Sequence, residues 1–217
     1  SHRSERKLRT MSGLPNNDRR TIRRQETLAE IVGASWDLVR EQGLAGLSMR
    51  DLGERVGMRA QSIYSYFASK HEIYDAMFLE GYQAFATSMT EAFEGMQPAS
   101  GQRSTAQLMA HTFFEFCTSD PVRYQLLFQR TIPGFEPSPE SWAVAQDAYE
   151  QHRLLLAGVD IQDQETLDLW TAMLTGLADQ QISNDPGGDR WERLVDRAVD
   201  MLLTYAQIHT NPESEKA

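Results

Sequence analysis

Residues 46–74, GLSMRDLGERVGMRAQSIYSYFASKHEIY, leave the chain little freedom in how it folds. Ser48 followed by Asp51 has the form of a capping box, in which a hydroxyl and a short carboxylate satisfy the free N–H groups of a new helix. Leu52 and Val56, four apart, give that helix one apolar face. Gly57 can leave it in a left-handed conformation, and a turn of Gly57-Met58-Arg59 leads to a second apolar pair, Ile63 and Phe67. Ser69 with Glu72 repeats the capping box and opens a third helix carrying Ile73, Met77 and Tyr82.

Helix, tight turn, short helix is the geometry in which the second helix enters the major groove of DNA. With Ile63 and Phe67 turned inward, Arg59, Ala60, Gln61, Ser62, Ser65 and Tyr66 are left on or near the outer surface. Arg can fork onto guanine, Gln can pair with adenine, and small residues allow close approach. Tyr64 alone would be an ordinary packed aromatic and Lys70 an ordinary solvated lysine. Lys70 falls, however, in the first turn of a helix, where free N–H groups already attract anions.

The spacing of these residues resembles the DNA-binding domain of the TetR family of one-component repressors over about residues 22–80. Ser48, Gly57, Tyr64, Phe67, Lys70 and Ile73 carry the resemblance. It departs in two places: Tyr66 stands where the family often has His, and Arg59 where Ser usually opens the recognition helix. Tyr66 can still donate to a phosphate, and Arg59 exchanges a hydroxyl cap for a long cation, which implies an altered operator sequence. The resemblance implies an all-α fold with an N-terminal three-helix helix-turn-helix domain and a C-terminal helical bundle. It further implies a homodimer through the last two long helices, a double-stranded DNA operator and a small-molecule effector.

The net charge of -10 would by itself argue against a nucleic-acid partner, but its distribution reverses that inference. Residues 1–24 hold eight Arg and Lys against Glu5 and Asp18; residues 1–80 sum to +2 and residues 81–217 to -12. The basic end suits phosphate while the acidic end is repelled from it. Residues 1–20, broken by Gly13 and Pro15, are expected to be a flexible arm in the free protein. Arg19, Arg20, Arg23 and Arg24 would then follow the DNA backbone or enter a minor groove, and Ser48 and Arg50 complete the expected DNA contacts.

Periodicity predicts a first helix over about 21–42, with Leu28, Ile31, Val32, Ser35, Trp36 and Val39 as its buried stripe. The domain organisation expected is an arm (1–20), a DNA-binding domain (21–68), a connector helix (69–94), an effector-binding and dimerisation domain (95–210) and a tail (211–217). Nothing after residue 94 alternates like a strand. Pro121 and Ser138-Pro139 open helices. Helices over 163–183 and 189–209, joined by the turn at 184–188, form an antiparallel hairpin with wide apolar stripes. Asp120-Pro121, Tyr124, Leu127-Phe128 and Trp170 further resemble one TetR subgroup bearing a Trp-His-Gly signature, although Thr175 occupies the position of that His.

The middle helices are aromatic enough to enclose an apolar or amphipathic effector. Candidate lining residues are Phe113, Phe116, Cys117, Tyr124, Phe128, Trp142, Tyr149, Trp170, Met173 and Leu177, with Arg130 and His152 as polar anchors. Core packing is the alternative for each. Gly-rich phosphate loops and nucleophile elbows are missing, and the five His residues and Cys117 lack metal-ligand spacing, so no enzyme, cofactor or metal is expected. One cysteine excludes an internal disulfide and fits a reducing cytoplasm. The charged N-terminus is expected to be no signal peptide, with Ser1-His2 reading as a tag remnant, and no apolar run reaches the roughly 20 residues of a membrane span.

A ligand-released repressor is the reading preferred on these grounds. The alternatives are a DNA-binding protein without an effector, and a small-molecule-binding or enzymatic bundle with a vestigial helix-turn-helix.

Overall fold

The computed structural model describes residues 16–94 and 101–210, and every described element is helical. The chain divides into two compact units, with the boundary between Met77 and Phe78.

The first unit begins with α1 (Asn16–Gln42), which starts earlier than the periodicity alone predicts. Asp18 in its first turn complements the positive end of the helix. Arg19 and Arg20 therefore stand on a helix, and residues 1–15 of the expected arm lie outside the described residues. Ile31, Val32, Ser35, Trp36, Leu38 and Val39 are buried, and the Ser35 hydroxyl donates to the Ile31 carbonyl at 2.7 Å. Gly43, at φ 77°, turns the chain out of α1 into a short 3-10 turn, Leu44–Gly46.

Next come α2 (Met49–Arg55), α3 (Ala60–Ile63) and α4 (Lys70–Glu94). Ser48 caps α2 by accepting the Asp51 N–H at 3.1 Å. Gly57, at φ 68°, makes the turn between α2 and α3. The Ser69 hydroxyl accepts the Glu72 N–H at 3.2 Å, and the Glu72 carboxylate accepts the Ala68 N–H at 2.7 Å, one residue before the usual box partner. Tyr74 ties α4 down by donating to the Leu44 carbonyl at 2.5 Å.

The second unit comprises the rest of α4 with α5 (Gln102–Ser119), α6 (Pro121–Phe128), α7 (Pro139–Ala157), α8 (Gln164–Asn184) and α9 (Val195–Thr210). Asp120, Ser138 and Asp163 cap α6, α7 and α8, each accepting an N–H three residues on. α5 packs against both α8 and α9. Its buried Ala106, Met109, Ala110, Phe113, Phe116 and Cys117 join one core with Trp170, Leu174, Ala178, Val195 and Val199.

The last helix starts later than the 189 expected from periodicity. Gln181, buried in α8, accepts the Trp191 N–H at 2.9 Å and donates to the carbonyls of Asp185 and Gly188. That clamp fixes residues 185–191 as a loop, followed by a 3-10 turn, Glu192–Leu194, before α9 proper begins. Among the described residues no helix is long and apolar enough to cross a membrane.

Candidate nucleic-acid interface and aromatic cavity

The α2–α3 pair is held together by Leu52, Ile63 and Phe67, all buried. Their side chains fill the inner face, so Arg59, Gln61, Tyr64, Ser65 and Lys70 are exposed, while Ala60, Ser62 and Tyr66 are half-buried. Arg59 occupies the N-cap of α3 without a capping bond from its side chain. Ser48 engages its oxygen as a cap, which leaves its O–H to donate.

Not every cation near this surface is equally available. Arg55 forks onto Glu41 at 2.9 and 2.5 Å, and the guanidinium holds that carboxyl below its ordinary range. Arg50 pairs with Glu54 at 3.2 Å. Arg19, Arg20, Arg23 and Arg24 line one hollow together with Thr27 and Tyr66. Arg24 donates to the Ser65 carbonyl at 3.4 and 3.5 Å and lies over the Tyr66 ring. The basic residues of α1 and the end of the recognition helix thus form one surface.

Gly53 was not anticipated from the sequence. It is buried in α2, and a Cβ there would stand 2.7 Å from the Met58 carbonyl oxygen and 3.2 Å from the Ala60 nitrogen. A glycine inside a helix, where it costs about 1 kcal/mol against Ala, was the available signal of close backbone approach.

In the second unit Phe113, Phe128, Tyr149, His152 and Trp170 line a cavity of about 160 Å³. Tyr82 and Phe85 of α4, Ala145, Thr171, Leu174 and Thr175 complete it. These six are additions to the lining expected from the sequence. The i,i+3 aromatic spacing of Tyr82 and Phe85 was the signal for the α4 pair. Two larger hollows share its walls: one of about 520 Å³ through Tyr82 and Phe128, and one of about 570 Å³ through Phe85 and His152.

Arg130 and Trp142 belong to the first of those hollows. Phe116, Cys117 and Tyr124 are core residues that line none of the three, and Met173 and Leu177 pack half-buried against the core. Burial pushes the Cys117 thiol up, leaving it protonated and unreactive. Burial likewise pushes the Tyr82 hydroxyl up to about 12, and it donates to the Leu127 carbonyl at 3.2 Å.

Residues 31–77 match the model of the bacterial regulatory proteins of the tetR family. The HTH-type transcriptional regulator Rv1816 of Mycobacterium tuberculosis is 24% identical over 120 residues, covering 55% of this chain and 51% of that protein. The chain thus spans about half the length of the curated relatives it matches. Among solved structures, the regulatory protein SCO4313 aligns with a TM-score of 0.65 at 19% identity, covering 88% of this chain and 100% of the other. The transcriptional regulator FadR of Bacillus subtilis, in complex with stearoyl-CoA, aligns at 0.59 and 15%, covering 81% and 97%.

Proposed function

We propose, from the match of residues 31–77 to the tetR family of bacterial regulatory proteins, that this chain is a ligand-released repressor binding operator DNA as a homodimer. The observation that carries the DNA half is the division of residues 59–67, α3 and its flanks, into buried Ile63 and Phe67 and exposed Arg59, Gln61, Tyr64 and Ser65. Gln61 and Arg59 read base edges, whereas Tyr64, Lys70 and the arginines of α1 hold phosphates.

Support for a homodimer comes from apolar side chains left in solvent: Leu169 on α8 is 41% exposed and Met201 on α9 is 73% exposed. A twin places two recognition helices about one helical turn (~34–36 Å) or a multiple apart on the duplex. The effector occupies the aromatic cavity. One helix, α4, carries Lys70 near its start and the cavity residues Tyr82 and Phe85 further along, so a ligand that shifts α4 alters the DNA contacts. The effect on affinity equals the ligand's preference for the released state, typically about 1–3 kcal/mol.

Selection from randomised duplexes tests this. An inverted repeat with half-sites one turn or a multiple apart is expected. Recovery of no common sequence, with only salt-sensitive binding, refutes it.

A further inference from the structure

His152 has a tautomer fixed by its neighbour. Trp170 Nε1–H lies 3.2 Å from His152 Nε2, and an indole nitrogen can only donate, so Nε2 accepts. In the neutral imidazole the proton then sits on Nδ1. That atom is buried and has no hydrogen-bond partner among the described residues. A buried donor left unmade costs about 1–3 kcal/mol, so such groups call for an explanation.

The ring stands in the wall of the aromatic cavity, none of whose lining residues is Asp, Glu, Lys or Arg. Three of the four hydroxyls there are engaged: Tyr82 donates to Leu127, Thr171 to Leu167 at 3.1 Å and Thr175 to Thr171 at 2.7 Å, while the fourth belongs to Tyr149, a side chain 51% exposed to solvent. Apolar rings supply most of the remaining wall. Burial pulls the His152 imidazolium down to about 4, so at neutral pH the wall carries no counter-charge for an ion. Apolar cavities of about 150 Å³ accept a benzene-sized guest.

We propose that this cavity takes an uncharged, single-ring aromatic ligand whose hydrogen-bond acceptor is bound by the His152 Nδ1–H. This deepens the effector reading and rests on it. The Trp170 bond holds His152 in the donating tautomer, so the site selects a carbonyl or ether oxygen over a bare ring, and a neutral molecule over a carboxylate or an amine.

The test is calorimetric titration of the full chain with four probes of similar size: acetophenone, ethylbenzene, benzoate and benzylamine. Acetophenone is expected to bind about tenfold more tightly than ethylbenzene and more tightly than either ion. His152→Phe should reduce the difference between the two neutral probes to within about twofold. Nitrogen-15 spectra of the wild-type imidazole give a readout independent of that variant's folding: the Nδ1–H resonance should shift with acetophenone and stay put with ethylbenzene. Equal binding of the neutral probes, preference for an ion, no binding at all, or an unmoved Nδ1–H resonance would each overturn the proposal. Operator binding measured alongside separates the two readings. Acceptor-selective binding without DNA release refutes the regulatory role alone; release by a ligand that leaves His152 unperturbed refutes this inference alone.

Discussion

The guanidinium carbon of Arg24 stands 5.0 Å from the centroid of the Tyr66 ring, so the first helix grips the residue at the end of the recognition helix. An exposed cation–π contact of this kind is worth about 0.5–1 kcal/mol, which is modest for stability but enough to orient Tyr66. Arg24→Ala is therefore expected to lower DNA affinity several-fold for every sequence and to reduce the salt slope by about one contact. Fluorescence anisotropy across a salt series measures both; an unchanged slope removes Arg24 from the interface.

Tyr64, Gln61 and Lys70 are all exposed but differ in chemistry. Tyr64→Phe and Lys70→Ala should weaken binding to operator and random duplexes alike. Gln61→Ala should also narrow the gap between operator and single-base variants, by about 1–3 kcal/mol at one position. Three variants with wild-type affinity and specificity would place the interface elsewhere.

Gly53 and Gly33 make a matched pair of glycine substitutions. Ala at position 53 puts a methyl against the Met58 backbone, whereas at position 33 a Cβ meets nothing within 4 Å. Gly53→Ala should cost about 1–3 kcal/mol of stability and reduce DNA binding. Gly33→Ala, in the interior of α1, should raise stability by about 0.4–1 kcal/mol. Urea denaturation of both variants checks the signs.

Met201 exposes 73% of its surface on α9. If that face meets a twin, Met201→Glu buries an unpaired carboxylate in the interface and should shift the protein towards monomer, with loss of operator affinity. Sedimentation equilibrium reads the mass directly. A monomeric wild type, or a variant that dimerises as before, excludes this face.

His152 gives the fold a pH dependence of known sign. Its folded value of about 4 lies below the ordinary 6.5, so between those limits the unfolded chain binds more protons. The stability linked to the neutral ring is complete above about pH 6.5 and is lost as pH falls towards 4, on the order of 3 kcal/mol in all. Denaturation midpoints at about pH 7, 5.5 and 4.5 should fall more steeply for wild type than for His152→Phe.

The helix-turn-helix was legible because its instructions are local. Ser48 with Asp51, Gly57, and Ser69 with Glu72 each act within a few residues, and Ile63 and Phe67 declare their face by spacing alone. The α9 start was not legible: periodicity continues through Trp191 and Leu194, but the Gln181 clamp reaches across from another helix. Residues 16–20 read as arm because basic composition outweighed the weak start signal at Asn16–Asp18.

The sequence by itself determined that this chain is helical, that α2 and α3 form a helix-turn-helix pair, and that aromatic residues crowd its middle. Only the tertiary structure decided which aromatics enclose space and which simply fill the core. Phe113 and Phe116 are three apart on α5, yet one lines the cavity and the other does not. The same holds for the His152 tautomer, set by Trp170 on the next helix. Caps and turns are set by interactions a few residues long, whereas the cavity wall is assembled from five helices, α4 to α8, whose packing no single segment encodes.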